Sequence, residues 1–212
     1  MDTDKRMPRI LLVFILFALG SPLWAAEGDS LEKDPGETWG WRTAMITSLM
    51  LTLATNPLEA DEFSVTTMSA PDVAGIKTGF RWFPEKSLGT VAGLPLTHYY
   101  QFAYSYWQDL DVDGQEGVNN VLEFSPVFRF NWGNKDWLSY METSVGASVF
   151  SRTELGGRQF STNFQFVNSL AFGGYFTKDT SWSLQLQHYS NNSIKLPNNG
   201  INFYNFVIAH RY

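Results

Sequence analysis

The sequence contains no cysteine among its 212 residues, which excludes disulfides and chemistry that depends on thiols or thiolate ligands. It also lacks a surplus of basic residues, because 15 Lys and Arg face 21 Asp and Glu, giving a formal net charge of -6. Nucleic acid is therefore not expected as a partner, since its phosphates require a basic surface. The apolar run Ile10 to Leu19 is too short to cross a bilayer as a helix.

Aromatic residues, in contrast, are abundant. They make up 16% of the chain, with 8 Trp, 9 Tyr and 17 Phe. The mean hydropathy is nevertheless only -0.18. Many aromatic residues at modest hydropathy are typical of strands that alternate apolar outward and polar inward residues, and not of membrane helices.

The N-terminal region resembles an export signal. Three basic residues precede the apolar run Ile10 to Leu19, and the small-residue segment Leu23 to Ala25 follows it. We predict a signal peptide over residues 1–26. Residues 27–60 are interpreted as a lead segment, and two interpretations stay open: an amphipathic or disordered periplasmic lead, or part of a longer signal, with a misassigned start, that ends near Ala60. Both interpretations predict export, and the folded domain is expected over residues 61–212.

From Asp61 onward the sequence is organised as strands separated by turns. Eight segments alternate apolar and polar residues and are predicted as strands, namely 63–68, 73–83, 97–108, 121–132, 137–150, 162–176, 182–190 and 201–212. Eight such strands fit either a soluble lipocalin-like barrel or an outer-membrane barrel.

The residues on the polar face favour the membrane form. This face carries full charges, at Lys77, Glu123, Arg129 and Glu142, which suits a lumen packed with hydrogen-bonded side chains. The last strand also ends on an aromatic residue, Tyr212, as bacterial outer-membrane barrels commonly do. We therefore predict an all-β protein, an eight-stranded antiparallel transmembrane β-barrel, located in the bacterial outer membrane.

A histidine and a serine occur two residues apart at the end of the seventh predicted strand. Side chains in a strand repeat with period two, so His188 and Ser190 share a face, with Cα atoms roughly 6.5–7 Å apart. Leu184 and Leu186 have the same parity, so this face is expected to point to lipid. Because this strand runs outward, the pair should lie near the extracellular end, where a polar pair facing lipid costs free energy.

The residues around this pair carry a family resemblance. HYSN at residues 188–191, followed by Ile194-Lys195, Pro197-Asn198 and Gly200-Ile201, resembles the outer-membrane lipid A 3-O-deacylase family, PagL. The segments FAYSYW at 102–107 and LEFSPVF at 122–128 are also similar to strands of that family, and the likeness covers essentially all of 61–212. The resemblance implies an eight-stranded barrel without metal or cofactor. It also implies hydrolysis of the ester-linked 3-hydroxyacyl chain at position 3 of lipid A by a Ser-His-Glu triad.

Transferred residue by residue, the resemblance makes Ser190 the nucleophile and His188 the general base. The glutamate of the family falls on Asn202, which can hold an imidazole by a hydrogen bond but cannot stabilise an imidazolium by charge. Asn191 and Asn198, or nearby backbone N–H groups, are the candidate oxyanion donors.

Two functions follow from these residues. The first is a carboxylic ester hydrolase that remodels lipopolysaccharide by acting on lipid A in the outer leaflet. The second is a non-catalytic small barrel with a degenerate triad and a structural or adhesive role. The sequence also leaves open whether the barrel is a monomer or a homodimer.

Overall fold

The computed structural model describes residues 44, 47–48, 51–110, 117–133, 137–155 and 157–212. The chain divides into two units, Met1–Glu59 and Ala60–Tyr212. In the first unit residues 51–55 are helical. Among the described residues no helix combines the length and apolarity that a membrane span would need. The signal peptide predicted over 1–26 lies outside the described residues, and the boundaries at 26 and 60 stay predictions.

The second unit consists of strands. Eight of them are long, and three, β3, β7 and β8, have two residues each. The strands are β1 (Glu62–Ser69), β2 (Val73–Trp82), β3 (Thr90–Val91), β4 (Leu94–Asp109), β5 (Val118–Asn131), β6 (Tyr140–Phe150), β7 (Glu154–Leu155), β8 (Arg158–Gln159), β9 (Phe164–Tyr175), β10 (Thr180–Ser190) and β11 (Ile201–Arg211).

The eight long strands close into a barrel. Their order is β2-β1-β11-β10-β9-β6-β5-β4, and β2 also pairs with β4, so the first and last strands of this order meet. Every pairing is antiparallel. The predicted eight-stranded antiparallel barrel is therefore confirmed. The short strand β3 pairs with the beginning of β4, and β7 with β8 forms a separate hairpin.

Alternation along the strands separates an apolar outer wall from a filled interior. On β5, Leu122 and Phe124 are 45% and 49% exposed, whereas Glu123 and Ser125 are 3% and 1% exposed. The period of two in the sequence thus becomes the two faces of the barrel wall.

One half of the interior is an ionic and hydrogen-bonded network. Lys77 Nζ lies 3.5 Å from Glu123 Oε2 and donates to Gln187 Oε1 at 2.7 Å. Arg129 Nε donates to Glu142 Oε1 at 2.7 Å. These contacts satisfy charges that would be costly to bury alone.

The other half of the interior is aromatic. The ring of Trp107 lies 4.9 Å from those of Phe150 and Tyr189 and 4.7 Å from that of Phe203, measured between centroids. Phe160, from the loop before β9, packs on Phe150 at 5.0 Å. The charged lumen residues predicted from the sequence therefore lie in the other half, and aromatic rings fill this one. Alternation identifies the inward residues, but only the aligned strands show the depth at which each one lies.

Candidate active site

His188 and Ser190 lie near the C-terminal end of β10, on the rim opposite to the barrel termini. The flanking residues Gln187 and Tyr189 are buried in the interior. His188 and Ser190 have the opposite parity and are partly exposed on the outer wall. His188 and Ser190 therefore point outward in the structure, as the parity of the sequence predicts.

The imidazole of His188 is held from the neighbouring strand. His188 pairs with Asn202 across β10 and β11, and His188 Nδ1 lies 2.7 Å from Asn202 Oδ1. With Oδ1 as the acceptor, Nδ1 carries the proton and Nε2 presents a lone pair. That is the tautomer that a general base requires.

Ser190 is two residues after His188 on the same face of β10, and it pairs with Phe166 of β9. Within the described part of the chain, the Ser190 hydroxyl makes no hydrogen bond to His188. Contacts between nucleophile and base are often long before substrate binds, so this geometry is compatible with a nucleophile at Ser190.

A tight turn follows Ser190 immediately. Asn192 and Ser193 have φ values of 51° and 63°, and Ile194 N donates to Asn191 O at 3.1 Å. Two successive residues with positive φ are typical of a type I′ turn, in which Asn is well tolerated. The turn makes the chain leave the strand abruptly and begins the loop 191–200.

The buried side chain of Asn191 holds this loop from the interior of the barrel. Its side chain is fully buried, and Nδ2 donates to Phe160 O and Lys195 O, both at 2.8 Å. The backbone N–H of Asn191 donates to Asn198 Oδ1 at 3.1 Å. Both donors of the Asn191 side chain are thus engaged in holding the loop, whereas Asn198 uses only its oxygen and keeps Nδ2 as a donor. The oxyanion roles of Asn191 and Asn198 stay predictions.

Gly200 allows the returning loop to pass against the histidine ring. A Cβ atom at this position would lie 2.8 Å from His188 Cε1 and 2.8 Å from Tyr189 O. Since the second contact is with backbone, a larger residue would have to displace the chain or the imidazole. The glycine is required by this close approach.

The hairpin β7–β8 supports the loop from the side. Asn199 N donates to Gln159 O at 3.0 Å, and Ser161 Oγ donates to Pro197 O at 2.6 Å. Arg158 Nη2 is 2.6 Å from Asp72 Oδ1, which ties the hairpin to the loop between β1 and β2.

Glu123 and Glu142, which the sequence places on the polar face of their strands, lie in the interior of the barrel. Glu123 accepts from Tyr189 OH at 2.8 Å, and Glu142 accepts from Tyr99 OH at 2.9 Å. Both are buried on the inner face, as the parity of the sequence predicts, so neither faces the imidazole of His188. No group of three or more His, Asp or Glu residues suited to a metal ion occurs in the described ranges.

Asn168 is not among the site residues predicted from the sequence. It is the residue of β9 that pairs with His188, on the side opposite to Asn202, and it is exposed on the outer wall. The signal was present in the sequence, because Asn168 is the polar residue at an outward position in an otherwise apolar series, Phe164, Phe166, Leu170 and Phe172.

Comparison with known proteins gives consistent matches. The family model described as lipid A 3-O-deacylase (PagL) matches residues 74–211. The lipid A deacylase PagL of Pseudomonas aeruginosa is 30% identical over 129 residues, 60% of this chain and 72% of that protein. The lipid A deacylase PagL of Bordetella bronchiseptica is 29% identical over 108 residues, 51% of this chain and 58% of that protein. A crystal structure of the outer membrane enzyme PagL has a TM-score of 0.62 at 25% identity and covers 71% of this chain and 99% of its own.

Proposed function

We propose that this chain, which belongs to the lipid A 3-O-deacylase (PagL) family, removes the ester-linked 3-hydroxyacyl chain at position 3 of lipid A by serine-esterase chemistry. It is a protein of the bacterial outer membrane, and as a family member it is a hydrolase that acts on lipid A. The proposed part is the position of the bond that is cleaved and the residues that cleave it.

The observation that carries this proposal is the hydrogen bond of 2.7 Å between His188 Nδ1 and Asn202 Oδ1 on the outer wall, beside Ser190. It holds the imidazole in the tautomer of a base, on a surface where polar side chains are costly. The same surface is bathed by lipid, so an ester within a lipid molecule can reach it by diffusion in the membrane plane.

In the first step Ser190 Oγ attacks the carbonyl carbon of the ester while its proton passes to His188 Nε2. The bond between the carbonyl carbon and the sugar oxygen then breaks, and His188 returns the proton to that oxygen. The sugar leaves as an alcohol and the acyl chain remains on Ser190 as an ester.

Negative charge develops on the carbonyl oxygen during this step. Asn198 Nδ2 and the backbone N–H groups of the turn at Asn192 and Ser193 are the donors that we assign to it. The buried amide of Asn191 supports them indirectly, because it fixes the loop that carries them.

In the second step water attacks the acyl-enzyme. His188 removes a proton from the water and returns it to Ser190 Oγ, which releases a 3-hydroxy fatty acid and restores the enzyme. Asn202 orients the imidazole in both steps, but as a neutral group it stabilises the imidazolium by its dipole only.

The proposal is tested by mass spectrometry of lipid A from bacteria that express the chain or its Ser190→Ala variant. We expect loss of one 3-hydroxyacyl chain with the unchanged protein and unmodified lipid A with the variant. Ser69→Ala, which removes an exposed serine hydroxyl at the end of β1, is the matched control and should retain activity, since Ser69 is assigned no role.

The alternative, a non-catalytic barrel, has one observation in its favour: the position of the family's acid holds a neutral amide. If lipid A is identical with and without the folded chain in the membrane, esterase function is overturned and the structural role is the better interpretation.

A further inference from the structure

We propose that Gln165 is a positioning residue for the loop 191–200, because it holds the turn of the chain on which that loop rests. The inference rests on the proposed function, to which it adds a residue that acts through the loop and not on the substrate. Gln165 is the second residue of β9, and its side chain is completely buried in the interior of the barrel.

Gln165 lies next to the first residue of the loop. Ser190 pairs with Phe166 at the end of β10. Continued by one residue, this register places Gln165 opposite Asn191 on the inner face of the wall. The two carboxamides share one acceptor, because Asn191 Nδ2 donates to Phe160 O at 2.8 Å and Gln165 Nε2 donates to the same oxygen at 3.4 Å. Gln165 and Asn191 therefore hold the carbonyl group of Phe160 together.

The turn that follows Phe160 has a strained backbone. Ser161 has a φ of 60°, a conformation that costs free energy for a residue other than glycine. Thr162 N donates to Phe160 O at 2.8 Å, two residues back, and closes a γ-turn around Ser161. Such turns with positive φ are rare because they are strained. This turn therefore depends on contacts from its surroundings.

The side chain of Gln165 makes these contacts. Its Nε2 atom donates to Thr162 O and also lies 3.1 Å from Thr162 Oγ1, in addition to its bond with Phe160 O. Gln165 thus binds the residue before Ser161 and the residue after it. A carboxamide nitrogen carries two donor hydrogens, which suits an environment of several carbonyl and hydroxyl oxygens.

The turn in its own right supports the loop 191–200. Ser161 Oγ donates to Pro197 O at 2.6 Å, and Asn191 Nδ2 donates to Phe160 O. The donors assigned to the oxyanion lie on this loop, at Asn198 and at the backbone of Asn192 and Ser193. They act on charge that develops in the transition state. Displacement of the turn should therefore lower kcat, whereas KM depends mainly on the outer wall that the lipid contacts.

The first test is the deacylation of lipid A by Gln165→Met, which keeps the length of the side chain and removes its donors. We expect kcat to fall by about tenfold, as the loss of about one net hydrogen bond allows, and KM to change by less than about twofold. Gln165→Asn, which withdraws the carboxamide by one methylene group, is a milder second variant and should show a fall in kcat of the same kind.

The matched control is Gln101→Met. Gln101 is also a buried glutamine of the inner face, and it accepts from Arg81 Nε at 2.9 Å in the ionic half of the interior. This variant should lower the resistance of the barrel to urea at least as much as Gln165→Met but leave kcat unchanged. Unchanged kcat in the Gln165 variants, or an equal fall in Gln101→Met, overturns the positioning role.

A second measurement is independent of turnover. Amide hydrogen exchange of the folded protein in micelles reports on the loop directly. The N–H groups of Asn191 and Asn199, which donate to Asn198 Oδ1 and Gln159 O, should exchange about tenfold faster in Gln165→Met than in the unchanged protein or in Gln101→Met. Equal exchange in all three proteins overturns this inference alone. If the unchanged protein leaves lipid A intact, the proposed function is overturned, and faster exchange in Gln165→Met would still support the hold of Gln165 on the loop.

Discussion

At the scale of single residues, the site depends on the difference between an amide and a carboxylate at Asn202. Both groups accept a hydrogen bond from His188 Nδ1 and can orient the ring, and the contact of 2.7 Å shows that the amide does so. Only a carboxylate would add a full negative charge beside the imidazolium that the proposed mechanism forms at His188. The orientation of the His188 imidazole is thus retained in this chain without the charge.

We predict that Asn202→Glu raises turnover of lipid A. In serine proteases the reverse exchange, from acid to amide, lowers turnover by about 10⁴-fold. We therefore expect Asn202→Glu to raise turnover by about tenfold or more. The measurement is the rate of release of 3-hydroxy fatty acid in detergent micelles. Asn199→Glu places the same charge on an exposed residue of the adjacent loop and should leave the rate unchanged. Equal or lower activity of Asn202→Glu would show that residue 202 is not at the acid position.

At the scale of structural elements, the loop 191–200 is held by its neighbours and not by regular secondary structure. The segment 158–161 binds it at two backbone positions, through Gln159 O and Ser161 Oγ, and the amide of Asn191 binds it from the interior side. The salt bridge between Arg158 and Asp72 extends this support to the loop between β1 and β2. The geometry of the candidate site therefore depends on three loops that are distant in sequence.

Removal of the Asn191 amide should loosen this arrangement. We expect Asn191→Ala to lower the rate of deacylation by about tenfold or more, mainly in kcat, because the loop loses its bonds to Phe160 O and Lys195 O. The unpaired carbonyl groups should also cost about 1–3 kcal/mol of stability. Asn199→Ala is the matched control, since the bond of Asn199 to Gln159 O uses the backbone. Equal kinetics of the two variants would remove the positioning role of Asn191.

At the scale of the whole molecule, the interior is divided into an aromatic half under the site and an ionic half beyond it. The aromatic half contains Tyr189, whose OH donates to Glu123 at 2.8 Å, so the residue between His188 and Ser190 is connected to both halves. Because the barrel is closed and its interior is filled, the strand that carries His188 and Ser190 has little freedom to move.

The ionic half should contribute strongly to stability. We predict that Lys77→Met destabilises the folded barrel by about 3–5 kcal/mol, because it leaves Glu123 buried without its cation. Urea unfolding from detergent or lipid vesicles measures this change. Lys178→Met, in which an exposed lysine is lost, should change stability by less than about 1 kcal/mol. A stability of Lys77→Met close to that of Lys178→Met would mean that the interior network is energetically unimportant.

The sequence by itself determined the number of strands, the parity of each side chain and the outward direction of His188 and Ser190. All of these follow from a local period of two, which the backbone imposes wherever a strand forms. The tight loop after Ser190 was also readable, because Asn, Pro and Gly are the residues that such turns require.

Only the tertiary structure decided which residues meet across strands. The pairing of His188 with Asn168, the depth of the Trp107 cluster in the barrel, and the use of the Asn191 amide as a support all depend on register and barrel closure. The contact of His188 with Asn202 was expected from the family resemblance and not from the strand pattern. Register is a property of two strands together, set by cooperative pairing around the whole barrel, and a period within one strand contains no information about it.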